Sequence, residues 1–240
     1  MAASVPRVLL LQIRDHGGAE RQERDCFVEF SGLPESAFRF HNVLADPHLS
    51  RQEVGDADAV ILGGAGAHSV TRDYEFTAPL ADLVRWLVGE GRPLFGSCFG
   101  HQFLAQALGG RVITDLERKE VGTHPIELTA AGRADPLFAG LPERFDVQFG
   151  HHDRVVELPP GATELAVSEL CPNQAFRVAD RPVWGCQFHV ELDRRRILER
   201  ARIYQEGYLP GDDALARFAA TVRPTPVATG LLRRFFATRA

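Results

Sequence analysis

The segment PLFGSCFGHQFLAQALGG, residues 93–110, decides the fold class of this chain. Its apolar start, Pro93–Gly96, has the character of a buried strand, and the glycine pair Gly109–Gly110 marks the end of a helix. Between them, apolar side chains recur at helical spacing: Phe103, Leu104, Ala107 and Leu108. The segment therefore predicts a strand that passes through a tight turn directly into a helix.

The part of the chain before this turn predicts further strands and helices in alternation. Val8–Ile13 is a continuous apolar run of strand length, which is typical of a strand buried on both faces of a parallel sheet. The other predicted elements are a helix at about Gly18–Ser31, strands at Phe38–Leu44 and Ala57–Leu62, and a helix from Leu80 to near Gly89–Gly91. This alternation indicates βαβ units and an α/β fold.

The pattern changes in the second half of the chain. From Val112 to Gln187, short segments of alternating polarity are broken by glycine and proline. They predict largely antiparallel strands on the far side of the same sheet. The segments are Ile126–Leu128, Phe145–Val147, Leu165–Val167, Ala175–Val178 and Val183–Phe188.

The last part of the chain is predicted to be helical, at Arg194–Glu206 and Asp213–Val222. A terminal helix follows at Leu231–Phe236, for which core packing is favoured and docking of a partner is the alternative. No linker is long enough to require two domains. We therefore predict a single domain over residues 1–240, with a helical tail from about residue 211.

Composition argues against several classes of function. The chain has 240 residues, 45% hydrophobic and 25% charged, and a formal net charge of −5. Because it has no basic stripe, neither nucleic acid nor an anionic membrane surface is expected as a partner. It shows no leader segment and no apolar run of about 18 residues, so a cytoplasmic location without membrane spans is expected. In that reducing compartment four cysteines are expected to be free thiols: Cys26, Cys98, Cys171 and Cys186.

Cys98 is the candidate nucleophile. It lies between nearby glycines at the junction of the predicted strand and helix, where a tight turn lifts the sulfur out of the sheet. The helix N-terminus offers unpaired N–H groups and a partial positive charge, which favour a thiolate and stabilise an oxyanion. Both effects serve nucleophilic acyl transfer. For Cys98 alone, a buried structural cysteine is an equally good interpretation.

A second signal, WGCQFHVE at residues 184–191, contains His189 and Glu191. The apolar strand predicted here ends at His189, and on an extended backbone Glu191 points to the same side. The carboxylate can bind one ring nitrogen, which leaves the other nitrogen to exchange a proton with a sulfur. A His-x-Glu pair alone is more often a surface feature, but together with Cys98 it predicts a Cys-His-Glu triad.

Two other sequence patterns give only weak evidence for a binding site. His151, His152 and Asp153 are adjacent in sequence, and adjacent residues rarely converge on one metal ion. The glycines of Gly63–Gly66 are not part of a GxxxxGK[ST] motif, so a nucleotide is not expected there. No metal and no cofactor is predicted, and the three remaining cysteines are interpreted as packing residues.

The segments GSCFGHQ at residues 96–102 and GCQFHVE at residues 185–191 resemble the class I glutamine amidotransferase family. The resemblance extends over roughly Val8–Arg200 and implies a flavodoxin-like three-layer fold, with helices on both faces of a central, mostly parallel sheet. Among members, the chain is most similar to free-standing GMP-synthetase-like amidotransferases and to γ-glutamyl peptidases, which share the form CFGHQ. Three further segments match: Ala59–Gly64, Gly150–Val155 and Asn173–Arg177.

The resemblance also implies roles for individual residues. Cys98 is implied as the nucleophile, His189 as the general base and then acid, and Glu191 as the carboxylate that orients the histidine. Oxyanion donors and substrate-binding groups are implied at the N–H groups of Gly64 and Phe99 and at Gln102, His151 and His152.

Two departures from the family pattern affect these roles. Val190 stands where the family commonly has proline. Its β-branched side chain favours an extended backbone, so the triad is expected to survive. His152 stands where the family often has glycine, and its ring would narrow or repolarise the γ-glutamyl pocket.

The resemblance implies an enzyme that attacks the amide of glutamine or of a γ-glutamyl compound, forms a thioester, releases ammonia or an amine, and hydrolyses the acyl-enzyme. A chain of 240 residues leaves no room for an ATP-dependent synthetase domain, so an acceptor of ammonia is expected on a separate polypeptide. One alternative is a self-contained γ-glutamyl peptidase. Another is a non-catalytic regulatory protein of the same fold, against which the intact triad argues.

Overall fold

Residues 5–204 and 213–238 are described in the computed structural model. Their strands are β1 (Val8–Ile13), β2 (Phe38–Asn42), β3 (Ala59–Ala65), β4 (Leu94–Ser97), β5 (Arg111–Thr114), β6 (Glu120–Leu128), β7 (Arg144–His151), β8 (Asp153–Glu157), β9 (Ala162–Val167), β10 (Ala175–Val178) and β11 (Val183–Cys186). Their helices are α1 (Gly17–Ser31), α2 (Arg51–Val54), α3 (Thr77–Gly89), α4 (Phe99–Ala107), α5 (Ala130–Ala134), α6 (Arg194–Ile203), α7 (Ala214–Thr221), α8 (Pro226–Thr229) and α9 (Leu231–Ala237).

One large sheet organises these elements, in the order β2-β1-β3-β4-β11-β10-β9-β6-β7. The first five strands in this order run parallel to their neighbours. From β11 onward, every pairing is antiparallel. β5 and β8 form a separate antiparallel pair. The predicted α/β fold, a mostly parallel central sheet with an antiparallel extension, is confirmed.

The inner strands of the parallel half, β1, β3, β4 and β11, are buried on both faces, and most of their residues are apolar or glycine. In β1, Leu9 and Leu11 belong to the core that packs under α3 and α4. Val8 and Leu10 point to the opposite face and belong to the core under α1 and α9. Successive side chains of a strand alternate between faces, so a continuous apolar run requires helices on both. This three-layer arrangement confirms the predicted placement of the helices.

Two strand boundaries differ from the sequence prediction. β2 ends at Asn42, short of the predicted Leu44, because the Asn42 side chain accepts a hydrogen bond from the Leu44 N–H at 3.2 Å and turns the chain. β3 continues past the predicted Leu62, because β1 offers a partner as far as the Ile13–Ala65 pair. Gly63 and Gly64 are therefore part of a strand and not of a free loop.

The C-terminal helices pack on the core. Leu231, Leu232 and Phe235 of α9 are fully buried, and the Phe235 ring lies 5.4 Å from that of Phe95 in β4. Core packing, and not docking of a partner, therefore describes this face of α9. The predicted helix at Arg194–Glu206 is present as α6, and residues 205–206 lie outside the described ranges.

In residues 5–204 and 213–238, none of the helices is both long and apolar enough to cross a bilayer.

Candidate active site

Cys98 lies at the junction of β4 and α4, in a turn with a positive backbone φ. Its φ is 51° and its ψ is −103°, a conformation that non-glycine residues rarely adopt. Two glycines permit this turn. A Cβ on Gly96 would lie 2.6 Å from the Gly100 carbonyl, and a Cβ on Gly100 would lie 2.0 Å from the Leu62 oxygen. The predicted tight turn from strand to helix is confirmed.

The turn places the Cys98 sulfur at the N-terminus of α4, where the residue is 7% exposed. The Cys98 N–H donates to the Cys186 carbonyl of β11 at 2.8 Å, which fixes the turn against the neighbouring strand. Phe99 begins the helix, so no preceding helical turn supplies an acceptor for its N–H. Negative charge on the sulfur is therefore favoured by the dipole of α4.

His189 is held by the antiparallel part of the sheet and not by β11. The prediction that a strand ends at His189 is wrong, because β11 stops at Cys186. After that residue, the Gln187 N–H donates to the Gln174 carbonyl and the His189 N–H donates to the Gln148 carbonyl, both at 2.9 Å. These bonds lead the backbone away from the β11 ladder and make an isolated bridge to β7.

Glu191 orients the His189 ring. His189 Nδ1 lies 2.7 Å from Glu191 Oε1, and the carboxylate is completely buried. The second carboxylate oxygen, Oε2, accepts a hydrogen bond from Ser97 Oγ at 2.7 Å. The remaining ring nitrogen, Nε2, lies beside the Gly150 backbone, where an added Cβ would be 3.9 Å away. The carboxylate thus fixes the tautomer and leaves Nε2 for proton transfer.

The electrostatics of this group favour a charged imidazole. Burial alone lowers the pKa of His189, but the negative charges of Glu191 and Cys98, and hydrogen bonds to both, raise it to about 10. Burial raises the pKa of Glu191, whereas the His189 charge opposes this and lowers it to about 2. An imidazolium beside the sulfur stabilises a thiolate. The structure therefore brings Cys98, His189 and Glu191 together as an interacting set.

A family model described as glutamine amidotransferase class-I matches residues 32–197, more than half of the chain. The matched range contains the Cys98, His189 and Glu191 set. The chain belongs to the class I glutamine amidotransferase family. It is an enzyme of the cysteine-dependent amidotransferase type.

Curated relatives of this amidotransferase include GMP synthases. The glutamine-hydrolyzing GMP synthase of Vibrio atlanticus (strain LGP32) is 37% identical over 135 residues, which are 56% of this chain and 24% of that protein. The corresponding protein of Thermomicrobium roseum is 44% identical over 133 residues, which are 55% of this chain and 23% of that protein. The chain therefore matches about a quarter of the length of these relatives.

Solved structures of similar fold cover almost the whole amidotransferase. A glutamine amidotransferase from Thermotoga maritima superimposes with a TM-score of 0.80 at 23% identity and covers 99% of both chains. A glutamine amidotransferase from Methylobacillus flagellatus gives a TM-score of 0.74 at 22% identity, with 98% of this chain and 94% of that chain covered. At these identities the comparison shows a shared fold.

The Gln102 side chain is hydrogen-bonded to other residues of the protein in this structure. Its Nε2 donates to the Asp153 carbonyl at 2.7 Å and to Gln187 Oε1 at 3.1 Å, so both amide hydrogens are used inside the amidotransferase. The second bond orients the Gln187 amide, whose Nε2 lies 3.9 Å from Cys98 Sγ. Gln102 therefore supports the Gln187 side chain beside Cys98, and its role in holding a substrate stays a prediction.

His151 and His152 lie in different environments. His151 is buried, with Nδ1 3.0 Å from the Asp153 carbonyl and Nε2 3.2 Å from Glu120 Oε2. Binding of substrate through this ring would require one of the two bonds to break, and the role of His151 stays a prediction. His152 is exposed. Its effect on a γ-glutamyl pocket stays a prediction.

The Gly64 N–H, which the resemblance implies as an oxyanion donor, is occupied in this structure. It donates to Oε1 of Glu23 in α1 at 3.2 Å. Glu23 pairs with Arg14 at 2.6 Å, and both side chains are at most 1% exposed. A Cβ on Gly64 would lie 2.9 Å from Arg14 Nη2 and 3.5 Å from His189 Cε1. An oxyanion role for Gly64 therefore requires this hydrogen bond to Glu23 to break.

Sequence reasoning missed three features of this site: Ser97, Gln187 and the Arg14–Glu23 pair. Ser97 and Gln187 lie inside the two motifs, but a motif alone does not show which neighbour a side chain faces. Arg14 directly follows β1, and polar residues at the carboxyl ends of parallel strands are a signal of a site. In residues 5–204 and 213–238, groups of three or more His, Cys, Asp or Glu side chains that could hold a metal ion do not occur.

Proposed function

We propose that this enzyme hydrolyses the side-chain amide of glutamine or the amide of a γ-glutamyl compound through a thioester on Cys98. One observation carries the proposal: the Cys98 sulfur, at a helix N-terminus, interacts with a buried imidazole that Glu191 binds at 2.7 Å. This arrangement supplies a nucleophile, a proton carrier and a group that orients the carrier.

In the first half of the reaction, the Cys98 thiolate attacks the amide carbon. The N–H of Phe99, in the first turn of α4, stabilises the negative charge that develops on the carbonyl oxygen. The Gly64 N–H joins it once its hydrogen bond to Glu23 is broken. His189 transfers its Nε2 proton to the leaving nitrogen, the C–N bond breaks, and ammonia or an amine departs from a thioester.

In the second half, the neutral His189 ring removes a proton from water as the water oxygen attacks the thioester carbon. The C–S bond breaks, the acid is released, and the thiolate–imidazolium pair forms again. Glu191 stabilises the imidazolium in both halves, because its charge raises the pKa of His189.

For the physiological use of the product, we infer that ammonia is passed to a synthetase site outside these residues. The support is that the GMP synthases of Vibrio atlanticus and Thermomicrobium roseum match this chain over only about a quarter of their own length. The sequence also has no GxxxxGK[ST] motif that would bind a nucleotide here. The expected activity of the protein alone is a modest, ATP-independent hydrolysis.

The test is mass spectrometry of the protein after incubation with a panel of glutamine and γ-glutamyl amides and peptides. We expect an acyl adduct on Cys98 and release of ammonia from glutamine, both lost in Cys98→Ala and Cys98→Ser with the fold intact. Hydrolysis by Cys98→Ala at the wild-type rate would remove the cysteine from the mechanism. Turnover of γ-glutamyl peptides with negligible glutaminase activity would favour the γ-glutamyl peptidase alternative.

A further inference from the structure

Ser97 connects the strand of the nucleophile to the carboxylate that orients the base. It is the last residue of β4, directly before Cys98, and it is completely buried. Its hydroxyl donates to Glu191 Oε2 at 2.7 Å. Ser97 also pairs in register with Cys186, the last residue of β11, so the strand that precedes Glu191 lies beside it.

The two oxygens of Glu191 thus have separate partners. Oε1 binds His189 Nδ1 and Oε2 binds Ser97 Oγ, each at 2.7 Å. A carboxylate held through one oxygen can rotate about its last torsion, whereas two bonds in different directions fix its plane. Arg200 acts on Glu191 through its positive charge and is bonded through Nε to Gln22. The hydroxyl of Ser97 is therefore the directional contact that holds Oε2.

We propose that Ser97 is a positioning residue of the amidohydrolase reaction, which acts through Glu191 on the orientation of His189. The inference rests on the proposed function of the Cys98, His189 and Glu191 set. Because Ser97 is bonded covalently to Cys98, the same residue fixes the nucleophile's strand and the carboxylate of the base. A displacement of Ser97 therefore changes both the backbone that carries the sulfur and the hydrogen bond that orients Glu191.

A different interpretation of the contact is that the hydroxyl only satisfies a buried carboxylate. In that case its removal lowers stability and leaves the chemistry of the folded enzyme unchanged. A positioning role instead lowers kcat with little change in KM, because the proton transfer by His189 is impaired while the binding of substrate is retained. The two roles also differ in a double-mutant cycle, because a residue that acts only through Glu191 has no effect once that carboxylate is removed.

The experiment compares wild type, Ser97→Ala, Ser97→Thr, Glu191→Ala and the Ser97→Ala/Glu191→Ala double variant, with the amide that the wild type hydrolyses fastest. Ser31→Ala is the matched control, since its buried hydroxyl donates to the Val28 carbonyl at 2.8 Å, within α1. Thermal unfolding reports the fold of each variant. The rate of Cys98 alkylation by iodoacetamide gives a second readout that needs no substrate.

We expect Ser97→Ala to lower kcat about tenfold, as for the loss of one hydrogen bond to a charged group. Alkylation of Cys98 should also be slower, and Ser97→Thr and Ser31→Ala should stay close to wild type. In the Glu191→Ala background, removal of the Ser97 hydroxyl should have no further effect on kcat. A wild-type kcat for Ser97→Ala, or the same tenfold loss in both backgrounds, would overturn the inference.

Failure of the inference is distinguishable from failure of the proposed function. If Cys98→Ala and His189→Ala abolish hydrolysis while Ser97→Ala does not lower kcat, the triad stands and Ser97 has only a structural role. If Cys98→Ala retains hydrolysis, or no amide in the panel acylates the wild type, the proposed function itself fails.

Discussion

At the scale of single residues, the state of His189 is set by its two charged neighbours. Burial lowers the pKa of His189, and the charges of Glu191 and Cys98 raise it to about 10. Replacement of Glu191 by glutamine removes one of these charges, so the pKa of His189 must fall. Since acylation needs the imidazolium proton, the alkaline limb of kcat/KM should move to lower pH in Glu191→Gln. The measurement is the pH profile of kcat/KM in both proteins.

The loss of kcat in variants of His189 and Glu191 should also follow from these roles. His189→Ala removes the proton carrier and should lower kcat by about 10²–10⁴-fold, the usual contribution of general acid–base catalysis. Glu191→Gln keeps the imidazole and should cost less. An alkaline limb that stays in place, or an equal loss of kcat in both variants with intact folds, would contradict this assignment of roles.

The three residues of the predicted triad could be grouped from the sequence because two motifs carry them. The contacts that surround these three residues could not be predicted from the sequence. The Gln187 amide faces the sulfur with its Oε1 bonded to Gln102 at 3.1 Å. Gln102 lies on α4, which is distant from Gln187 in the sequence. The Glu23 carboxylate meets the Gly64 N–H because α1 packs on the sheet at that point. Such contacts depend on tertiary packing, which the residue pattern does not encode locally.

At the scale of elements, α4 packs directly against β3, and residue 100 must be glycine for the two backbones to come this close. A Cβ on Gly100 would lie 2.0 Å from the Leu62 carbonyl oxygen of β3, so Gly100→Ala forces the helix and the strand apart. Because backbone must move, we expect the free energy of unfolding to fall by about 3 kcal/mol or more, with loss of amidase activity. Denaturant unfolding monitored by circular dichroism, together with an ammonia-release assay, measures both effects.

Gly89→Ala is the matched control for this substitution. Gly89 is the last residue of α3, and a Cβ there would meet no atom within 4 Å. The change should therefore be neutral or stabilise the protein by up to about 1 kcal/mol, as for alanine in place of a helical glycine. Equal stability of Gly100→Ala and Gly89→Ala would show that α4 does not need this close approach.

Element types were predictable where periodicity is strong, and element ends were not. The apolar run Val8–Ile13 coincides with β1, because an uninterrupted apolar segment of this length fits a strand covered on both sides. The predicted strand end at His189 was wrong, because backbone bonds to Gln174 and Gln148 divert the chain after Cys186. The partner strands of those two bonds are distant in sequence, so the end of β11 is a tertiary property.

At the scale of the whole molecule, both halves of the sheet contribute to the site. Cys98 follows β4 of the parallel half, while the His189 backbone is bonded to Gln148 of β7, the edge strand of the antiparallel half. The change from continuous apolar runs to segments of alternating polarity after Val112 predicted the parallel and the antiparallel half of the sheet. The pairing of β4 with β11 joins segments that are far apart in the chain and has no local signature.

The final prediction concerns α9, which closes the face of the sheet opposite α3 and α4. The Phe235 ring lies 5.4 Å from the Phe95 ring in β4 and 6.0 Å from the Trp184 ring in β11, the strands that precede Cys98 and His189. Phe235→Ala leaves a cavity under these strands and should lower the free energy of unfolding by about 3–5 kcal/mol. Well below its unfolding temperature, the variant should keep kcat near wild type, because the contacts lie on the opposite face from α4.

Arg233→Ala, on an exposed position of the same helix, is the control and should change stability by no more than about 0.5 kcal/mol. Urea unfolding and ammonia release are measured for both variants, alone and with a fraction that contains a candidate synthetase. A Phe235→Ala protein with wild-type stability that loses only activation by that fraction would make α9 a docking element instead of part of the core. The complete burial of the ring argues for the opposite outcome, because a side chain that contacts a partner must first be accessible to it.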